Sequence, residues 1–334
     1  MSKKKYLVTG GAGFLGASLV IRLLKAGNPV VVIDNGQRHG LHRLQGLDDD
    51  LMTLVSCDIR DEAKVVAAAE GCDVIVHMAA VNGTRNFYNK PDLVLDVGIM
   101  GMRNALLASK NNPGVKDFFL LSSSEVYQDS DEIPTTEKTL MKVPDTWNPR
   151  YSYGGSKLIS ELMLANAKID SLERSVIIRP HNVYGPNMGW DHVVPEFVVR
   201  AHELSTKSPG ATSIDFPIQG DGQQTRSFIY VEDFTDGVMI TLDKGEDRNI
   251  YHIGTMDELN MAEMAQQVVA TFGLEAKIVP GSLPQGSAPR RCPDTAKLTA
   301  LGFAPNTPLK DGLTVTKEWY VANIDKSPKH DDNP

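Results

Sequence analysis

The stretch Tyr6–Gly16 reads YLVTGGAGFLG, in which a short apolar segment runs into three glycines with the spacing GxxGxxG. A segment with helical periodicity follows at residues 14–26. In a strand–turn–helix unit, Gly10 permits the sharp turn, Gly13 lets the backbone approach a pyrophosphate, and Gly16 lets the helix pack closely on the sheet. The stretch therefore predicts a dinucleotide site on the first strand of a parallel sheet.

The rest of the first half repeats this alternation. Apolar segments predict buried strands at residues 6–8, 30–33, 51–55, 74–76, 118–121 and 176–178. Helical periodicity predicts helices at residues 14–26, 61–70, 92–110 and 152–169. Strands that alternate with helices of this length indicate right-handed crossovers and a parallel sheet. The predicted fold class is α/β, a Rossmann-type doubly wound parallel sheet with a smaller α/β substrate-binding domain.

Residues at the ends of the next strands indicate which dinucleotide binds. Asp34 ends the second predicted strand, where a carboxylate accepts hydrogen bonds from the adenosine ribose hydroxyls and repels a 2′-phosphate. This favours NAD over NADP. His77, after the fourth strand, is predicted to be structural and not catalytic. The further predicted contacts to NAD are Phe14 and Leu15 beside the glycines, Asp58 and Ile59 at the adenine, and Ala79 and Ala80 along the sheet edge.

The pattern changes after residue 180. Residues 185–225 hold many Gly and Pro and have weak periodicity, and helices are predicted at Asp257–Phe272 and Asp311–Ala322. We predict an NAD-binding Rossmann domain at 1–180 with a return segment near 226–254, a mainly substrate-binding domain at 181–322, and a disordered tail at 323–334.

Composition excludes several classes of protein. The 334 residues carry a net charge of −8 and no basic stripe, so nucleic acid is not an expected partner. No apolar run approaches the ~18 residues of a membrane helix, and Thr9 and Gly10 interrupt the first run too early for a signal peptide. The three cysteines, Cys57, Cys72 and Cys292, lack metal-binding spacing. They predict reduced thiols in a cytoplasmic protein without a metal site.

A tyrosine and a lysine stand four residues apart at the start of a predicted helix. Tyr153 and Lys157 therefore share one helix face, where the ammonium favours the phenolate and lowers the tyrosine pKa. Such a phenolate removes a hydroxyl proton while hydride leaves the same carbon for a nicotinamide. Both side chains are thus predicted to contact NAD. Ser123 follows the fifth predicted strand, at the edge where ligands bind, and we pair its hydroxyl with Tyr153.

These motifs together resemble the extended short-chain dehydrogenases/reductases, specifically the NAD-dependent nucleotide-sugar epimerase/dehydratase family. The resemblance covers roughly residues 4–322. It rests on TGGAGFLG at 9–16, Asp34, SSSEVY at 122–127, YxxxK at 153–157, RPHNVYGP at 179–186, GDGQQTRSFIYVED at 220–233 and RRCPD at 290–294.

The resemblance implies a mechanism and a catalytic set. Ser123, Tyr153 and Lys157 match the family's catalytic hydroxyl, base and lysine. The shared mechanism is a transient oxidation, usually at sugar C4, in which NAD takes the hydride and the tyrosine takes the proton. A second step follows, and the hydride normally returns.

The resemblance also implies a nucleotide-diphosphate sugar as the substrate. Asn182 matches the asparagine that contacts the diphosphate region, and Arg226 and Arg291 match arginines that clamp the diphosphate. The planar fork of an arginine suits phosphate oxygens. The nucleotide base and the sugar are not readable from the sequence.

Ser124 and Glu125 bear on the second step. Family 4,6-dehydratases carry Asp-Glu at this position, so Ser124 argues against a dehydratase. UDP-glucuronate decarboxylases carry Ser-Glu-Val-Tyr, as this chain does. Ser124 is also a predicted substrate contact. The second half resembles GDP-mannose 3,5-epimerase, but Glu125 replaces that enzyme's catalytic Cys and no lysine stands at residues 190–192. Glu125 with His192 or Asp191 is a hypothetical acid/base pair.

Simple C4 epimerisation makes the fewest demands on the sequence, since it needs only the catalytic set and room for the keto sugar to turn. We therefore expect epimerisation first, with decarboxylation of UDP-glucuronate close behind. A dehydrogenase that releases its keto product and a non-catalytic NAD-binding sensor are the further alternatives. The sensor is disfavoured because Tyr153 and Lys157 are both present.

The helices predicted at 92–110 and 152–169 suggest an oligomeric state. Leu158, Ile159, Leu162 and Met163 form an apolar stripe on the second of them. In family members the equivalent helices form a homodimer through a four-helix bundle. The resemblance therefore implies a homodimer here.

Overall fold

The computed structural model describes residues 3–37, 40–47, 50–282 and 289–327. Its strands are β1 (Tyr6–Thr9), β2 (Val30–Asp34), β3 (Met52–Ser56), β4 (Val74–His77), β5 (Asp117–Leu121), β6 (Arg174–Pro180), β7 (Val183–Tyr184), β8 (Ser213–Ile218), β9 (Thr225–Ser227), β10 (Ile229–Tyr230), β11 (Asn249–Ile253), β12 (Glu258–Asn260), β13 (Glu275–Pro280) and β14 (Arg290–Arg291). Its helices are α1 (Phe14–Lys25), α2 (Glu62–Ala68), α3 (Thr84–Asn89), α4 (Pro91–Asn111), α5 (Ser152–Ala165), α6 (Val193–Lys207), α7 (Val231–Lys244), α8 (Met261–Ala270), α9 (Ala296–Thr299) and α10 (Leu309–Ala322).

Seven parallel strands form the main sheet, in the order β11-β6-β5-β4-β1-β2-β3. Successive side chains on a strand point to opposite faces, so Leu7 and Val8 enter two different cores. Helices α1 and α7 cover the face that carries Val8, and α2, α4 and α5 cover the face that carries Leu7. The predicted doubly wound Rossmann-type α/β sheet is confirmed.

A second core lies outside the main sheet. Helices α6, α8 and α10 pack around the parallel pair β8 and β13, with Phe197, Phe216 and Tyr320 fully or almost fully buried. Short sheets β12-β9-β14 and β10-β7 connect this region to the ends of the main strands. The last strand of the main sheet, β11, comes from residues 249–253, so the chain returns to the first core after starting the second.

The weakly periodic segment 185–225 contains a regular helix and strand that the sequence analysis missed. Helix α6 occupies Val193–Lys207 and β8 occupies Ser213–Ile218. Pro195 obscured the helix, but it lies in the first turn, where its missing N–H has no intrahelical partner to lose. The glycines on either side belong to turns: Gly189 and Gly210 have φ of +104° and +80°.

The structure also bears on the C-terminal tail and the cysteines. Within the tail predicted as disordered, Ile324–Lys326 forms a 3-10 turn, tied to α10 because Asn323 donates to the Trp319 carbonyl at 2.8 Å. Residues 328–334 of that tail lie outside the described residues. The three cysteines are free and buried. Among the residues that the structure describes, no helix combines the length and the hydropathy that a bilayer span requires.

Candidate active site

The glycine turn forms one end of a cavity of about 810 Å³ at the carboxyl ends of the main strands. Gly10 has φ of +68°, and a Cβ there would press on the backbone of Ala79 at 2.8 Å. A Cβ at Gly16 would overlap the carbonyl oxygen of Gly10, and Gly13 caps α1. The turn therefore requires glycine for its conformation and its close packing, and it exposes the N-terminus of α1 to the cavity.

Asp34 closes this end of the cavity. Its Oδ2 accepts a hydrogen bond from Ala12 N at 3.0 Å and its Oδ1 accepts one from Gly36 N at 2.9 Å. The carboxylate is thus held at the end of β2 by two backbone donors, as a ribose-binding acid requires.

Most other predicted cofactor contacts line the same cavity, namely Phe14, Leu15, Ile59, Ala79 and Ala80. Asp58 does not line it. Arg60, two residues further on, folds back and bonds the Asp58 carboxylate at 2.8 and 3.0 Å, which lowers the pKa of Asp58. An adenine contact by Asp58 would have to share this carboxylate with the arginine, and it stays a prediction.

Ser123, Tyr153 and Lys157 line the middle of the cavity. The Lys157 ammonium donates to the Leu121 carbonyl oxygen at 2.7 Å and lies 5.9 Å from the centre of the Tyr153 ring. Burial lowers the pKa of Lys157 to about 8. The Tyr153 ring stacks on Phe87 of α3 at 5.2 Å, with 13° between the ring planes. Helix α5 and the turn after β5 thus bring the three residues together, as the sequence spacing predicts.

His77, the last residue of β4, is 2% exposed and is not among the residues that line the cavity. Its Nδ1 is 2.8 Å from Thr9 Oγ1, which also accepts from the backbone N–H groups of Met78 and Ala79. Burial, and then the nearby Lys157, lowers the pKa of His77 to about 3. The structural role of His77 stays a prediction, which its bond to the Thr9 hydroxyl supports.

A cluster of arginines surrounds Glu125 next to the catalytic group. Arg291 Nη1 donates to Glu125 Oε1 at 2.5 Å, and Arg150 Nη2 donates to Oε2 at 3.3 Å. Burial alone would raise the pKa of Glu125, but the two arginines lower it to about 2. Arg226 lies opposite Arg291 in the β9–β14 pair, and burial followed by the charge of Arg291 lowers its pKa to about 10. The cluster groups three arginines with one carboxylate and so carries a net positive charge.

The predicted substrate residues divide into two groups. Ser124, Glu125 and Asn182 line the cavity, and the Asn182 amide also donates to the Ser227 carbonyl oxygen at 2.8 Å. Arg226 and Arg291 lie behind Glu125 and do not line the cavity in this conformation. Their diphosphate contacts stay predictions.

Arg150 also lines the cavity, three residues from Tyr153, and was not predicted from the sequence. The only available signal was that proximity, because an arginine ahead of a helix is usually solvated. Of the two residues offered as acid/base partners of Glu125, His192 lines the cavity, whereas Asp191 does not. The carboxylate of Glu125 is bonded by Arg150 and Arg291 instead, so the hypothetical pairing gains no support from the geometry.

The family model of the NAD-dependent epimerase/dehydratase family matches residues 6–254. The chain belongs to this family. Two curated relatives match almost the full length of this chain. UDP-N-acetyl-α-D-glucosaminuronate decarboxylase of Bacillus cytotoxicus is 30% identical over 328 residues, which cover 95% of this chain and 98% of that one. GDP-mannose 3,5-epimerase of Arabidopsis thaliana is 30% identical over 330 residues, which cover 96% and 83%.

Solved structures share the fold of this epimerase/dehydratase family member. The dTDP-glucose 4,6-dehydratase of Streptomyces venezuelae, solved with NAD, has a TM-score of 0.82 and 27% identity, and the match covers 96% of this chain and 98% of that one. The chain is therefore an enzyme of this family, and NAD is its cofactor. The predicted family and cofactor are confirmed, and the glycine turn with Asp34 fits NAD. The relatives are named for different reactions, so the family leaves the second step open.

Proposed function

We propose that this enzyme epimerises a nucleotide-diphosphate sugar at C4. The observation that carries the proposal is the composition of the cavity wall around the Tyr153–Lys157 pair. Among the described residues that line the cavity, the carboxylic acids are Asp34 at the ribose end and Glu125, which is bonded to arginines. Epimerisation at C4 uses no second acid, so this set is sufficient for it.

The chain's own residues would act as follows. Tyr153 takes the proton of the C4 hydroxyl as a phenolate, because the buried ammonium of Lys157 stabilises that negative charge. Ser123 bonds the same oxygen and fixes its direction. Bound NAD supplies the acceptor and later the donor of the hydride. If the keto sugar rotates in the cavity before the hydride returns to C4, the hydride adds to the opposite face, and Tyr153 returns its proton to the C4 oxygen of the epimer.

Loss of water at C6 is disfavoured because it needs a proton donor near the leaving hydroxyl. Ser124 is the residue at the position of the dehydratase aspartate, and a hydroxyl is a far weaker acid. Glu125 has a pKa of about 2 and so carries no proton at neutral pH. Two arginines would have to release it before it could act as an acid.

Decarboxylation of a nucleotide-uronic acid is the second candidate, and Arg150 favours it. Only its Nη2 bonds Glu125, while its guanidinium lies 5.6 Å from the Phe87 ring that stacks on Tyr153. A guanidinium beside the C4 position suits a sugar carboxylate at C6. A 4-keto uronate is a β-keto acid, so CO₂ can leave as the C5–C6 electron pair becomes an enolate, which then takes up a proton at C5 from water. The glucosaminuronate decarboxylase is a relative of matching length.

Mass spectrometry separates the candidates. The purified protein is incubated with UDP-glucuronate, UDP-hexoses and GDP-mannose, each in deuterated water, with Tyr153→Phe as the inactive control. An isomer without deuterium supports C4 epimerisation. Loss of CO₂ from UDP-glucuronate would overturn the proposal of C4 epimerisation in favour of decarboxylation. An isomer that contains deuterium would overturn it in favour of a reaction through an enol. An accumulating keto sugar with stoichiometric NADH would instead mean a dehydrogenase.

We infer that residues 1–180 with the segment 226–254 form the NAD-binding domain, because β11 pairs with β6 and α7 packs on α1. The remaining part of 181–322 would form the nucleotide-sugar domain around the second core. Asn182, Arg226 and Arg291 stand at the boundary, where a ligand shared by both domains would bind.

We also infer a homodimer through α4 and α5. These two helices pack on each other, and they leave Leu95, Met100, Ile159 and Leu162 36–51% exposed. We expect Leu162→Lys to halve the mass measured by light scattering. Leu140→Lys is the matched control, because Leu140 is 78% exposed on a different segment. A monomeric wild type would contradict the inference.

A further inference from the structure

A buried carboxylate lies one helical turn beyond the catalytic lysine. Tyr153, Lys157 and Glu161 are spaced by four residues on α5, so they share one face of the helix. Glu161 is 3% exposed. It does not line the active-site cavity, so any part that it takes in the reaction passes through other residues.

Two partners fix Glu161, one in the turn after β5 and one on β6. Its Oε1 accepts hydrogen bonds from Ser122 Oγ, in the turn after β5, and from Arg179 Nε at 2.9 Å. Its Oε2 accepts from Arg179 Nη2 at 2.5 Å. Arg179 is 1% exposed and also donates to the Tyr127 hydroxyl and the Glu137 carbonyl oxygen. Two parallel charge-assisted bonds leave the carboxylate one orientation.

Lys157 is surrounded by groups that do little for its positive charge. The Leu121 carbonyl from β5 accepts from it at 2.7 Å, the neutral His77 approaches from β4, and Tyr153 precedes it on α5. Burial lowers the pKa of Lys157 to about 8, and the charge of Glu161 opposes that effect. Arg179, from β6, is turned to Glu161.

We propose that Glu161 is a positioning residue for the Tyr153–Lys157 pair. Its negative charge keeps Lys157 protonated at neutral pH, and its bond to Ser122 fixes the turn that carries Ser123. Arg179 makes this arrangement possible. Because it takes both oxygens of Glu161, Lys157 is affected by the negative charge without forming an ion pair with it. A direct ion pair would draw the ammonium away from the phenol that it has to stabilise.

The test titrates Lys157 in the NAD-bound protein. Lysine labelled with ¹³C at Cε reports protonation by NMR, and the Lys157 signal is assigned by its loss in Lys157→Met. We expect Glu161→Gln to lower the Lys157 midpoint by about one pH unit, since a nearby opposite charge shifts a pKa by that order. A folded Glu161→Gln whose Lys157 midpoint equals that of the wild type overturns the proposal.

Two further variants keep the test decisive. Asp117→Asn, at the other end of β5, removes a buried carboxylate that is also bonded by an arginine, and it should leave the Lys157 midpoint unchanged. Glu161→Gln/Arg179→Gln removes both charges and decides the question if Glu161→Gln does not fold. We expect its Lys157 midpoint to fall as well, by less, because the unpaired arginine charge is also gone.

The inference rests on the proposed function only for its effect on turnover. With the substrate identified, the alkaline limb of kcat should move to lower pH by the same amount as the Lys157 midpoint. If no nucleotide sugar is turned over, the proposed function fails, while the Lys157 titration still decides the role of Glu161.

Discussion

Two carboxylate–arginine pairs lie at opposite ends of the neighbouring strands β5 and β6. At the amino end, Asp117 of β5 lies opposite Arg174 of β6, which bonds it at 3.1 and 2.9 Å. At the carboxyl end, Arg179 of β6 bonds Glu161 of α5 at 2.9 and 2.5 Å. The chemistry of the two pairs is the same, but their surroundings differ.

The amino-end pair connects elements of the fold. Asp117 also accepts from Lys4 Nζ at 2.7 Å, and Arg174 donates to the carbonyl oxygens of Leu242 and Gly245 in and after α7. The carboxyl-end pair connects the catalytic helix to the catalytic turn through Ser122. In an open parallel sheet, ligands bind at the carboxyl edge. We therefore expect changes at the amino end to affect stability and changes at the carboxyl end to affect turnover as well.

Tyr153→Phe has the largest expected effect and should separate the two ends most clearly. It removes the proton acceptor, so turnover should fall by ~10²–10⁴-fold while the melting temperature changes little. Asp117→Asn should lower the melting temperature and leave turnover nearly unchanged. Initial rates and thermal unfolding of both variants check this. Equal rate losses would show that the two ends do not differ in function.

Arg179→Met and Arg174→Met compare the two pairs in stability. Arg179 and Glu161 are 1% and 3% exposed, so breaking this pair strands a buried carboxylate and should cost about 3–5 kcal/mol. Asp117 keeps Lys4 when Arg174 is lost, so that variant should lose less, about 1–3 kcal/mol. Urea unfolding at pH 7 measures both. The opposite ranking would mean that the carboxyl-end pair is compensated in some other way.

Lys157→Met should stabilise the protein at pH 7 while abolishing turnover. Lys157 has a folded pKa of about 8 against 10.5 unfolded, so below pH 8 the fold carries a charge that burial disfavours. Removing this charge should raise the free energy of unfolding by about 1–3 kcal/mol. The lost bond to the Leu121 carbonyl reduces this gain.

The sign of this effect can be checked by pH. Between about pH 8 and 10.5 the folded wild type loses the Lys157 proton before the unfolded chain does. Wild-type stability therefore rises in this window, and the advantage of Lys157→Met shrinks there. Lys4→Met at the amino end should show no gain at pH 7, because that lysine is paired with Asp117. A Lys157→Met protein less stable than wild type would contradict the prediction.

The sequence predicted those parts of the site that are local in the chain. The glycine turn, Asp34 and the Tyr153–Lys157 spacing each depend on a strand end or one helical turn, so a motif carries the geometry with it. The parallel sheet followed from the alternation of strands and helices. The resemblance supplied Arg226 and Arg291 as a pair, and their register across β9 and β14 places them side by side.

Contacts between distant segments were not predictable in this way. Arg150 reaches Glu125 across 25 residues, and Glu161 meets Arg179 only because α5 packs beside β6. These pairings depend on side-chain packing in three dimensions, which no periodicity in the sequence encodes.

Phe87→Leu has the smallest expected effect. Compared with Phe119→Leu, it tests the difference between the carboxyl and amino ends of the sheet. Phe87 stacks on Tyr153 at the carboxyl edge, with the Arg150 guanidinium 5.6 Å from its ring. Phe119 is fully buried in β5, with the Arg174 guanidinium 5.0 Å from its ring. Leucine keeps the apolar character and removes the stacking, which is worth about 0.5–1.5 kcal/mol for an aromatic pair.

If the stack orients the catalytic phenol, Phe87→Leu should lower kcat by up to about 10-fold with little change in the melting temperature. Phe119→Leu should lower the melting temperature and leave kcat alone, because its ring contacts the amino-end arginine and not the site. Steady-state kinetics and thermal unfolding of the two variants decide between them. An unchanged kcat in Phe87→Leu would mean that Lys157 and the fold of α5 orient Tyr153 without help from α3.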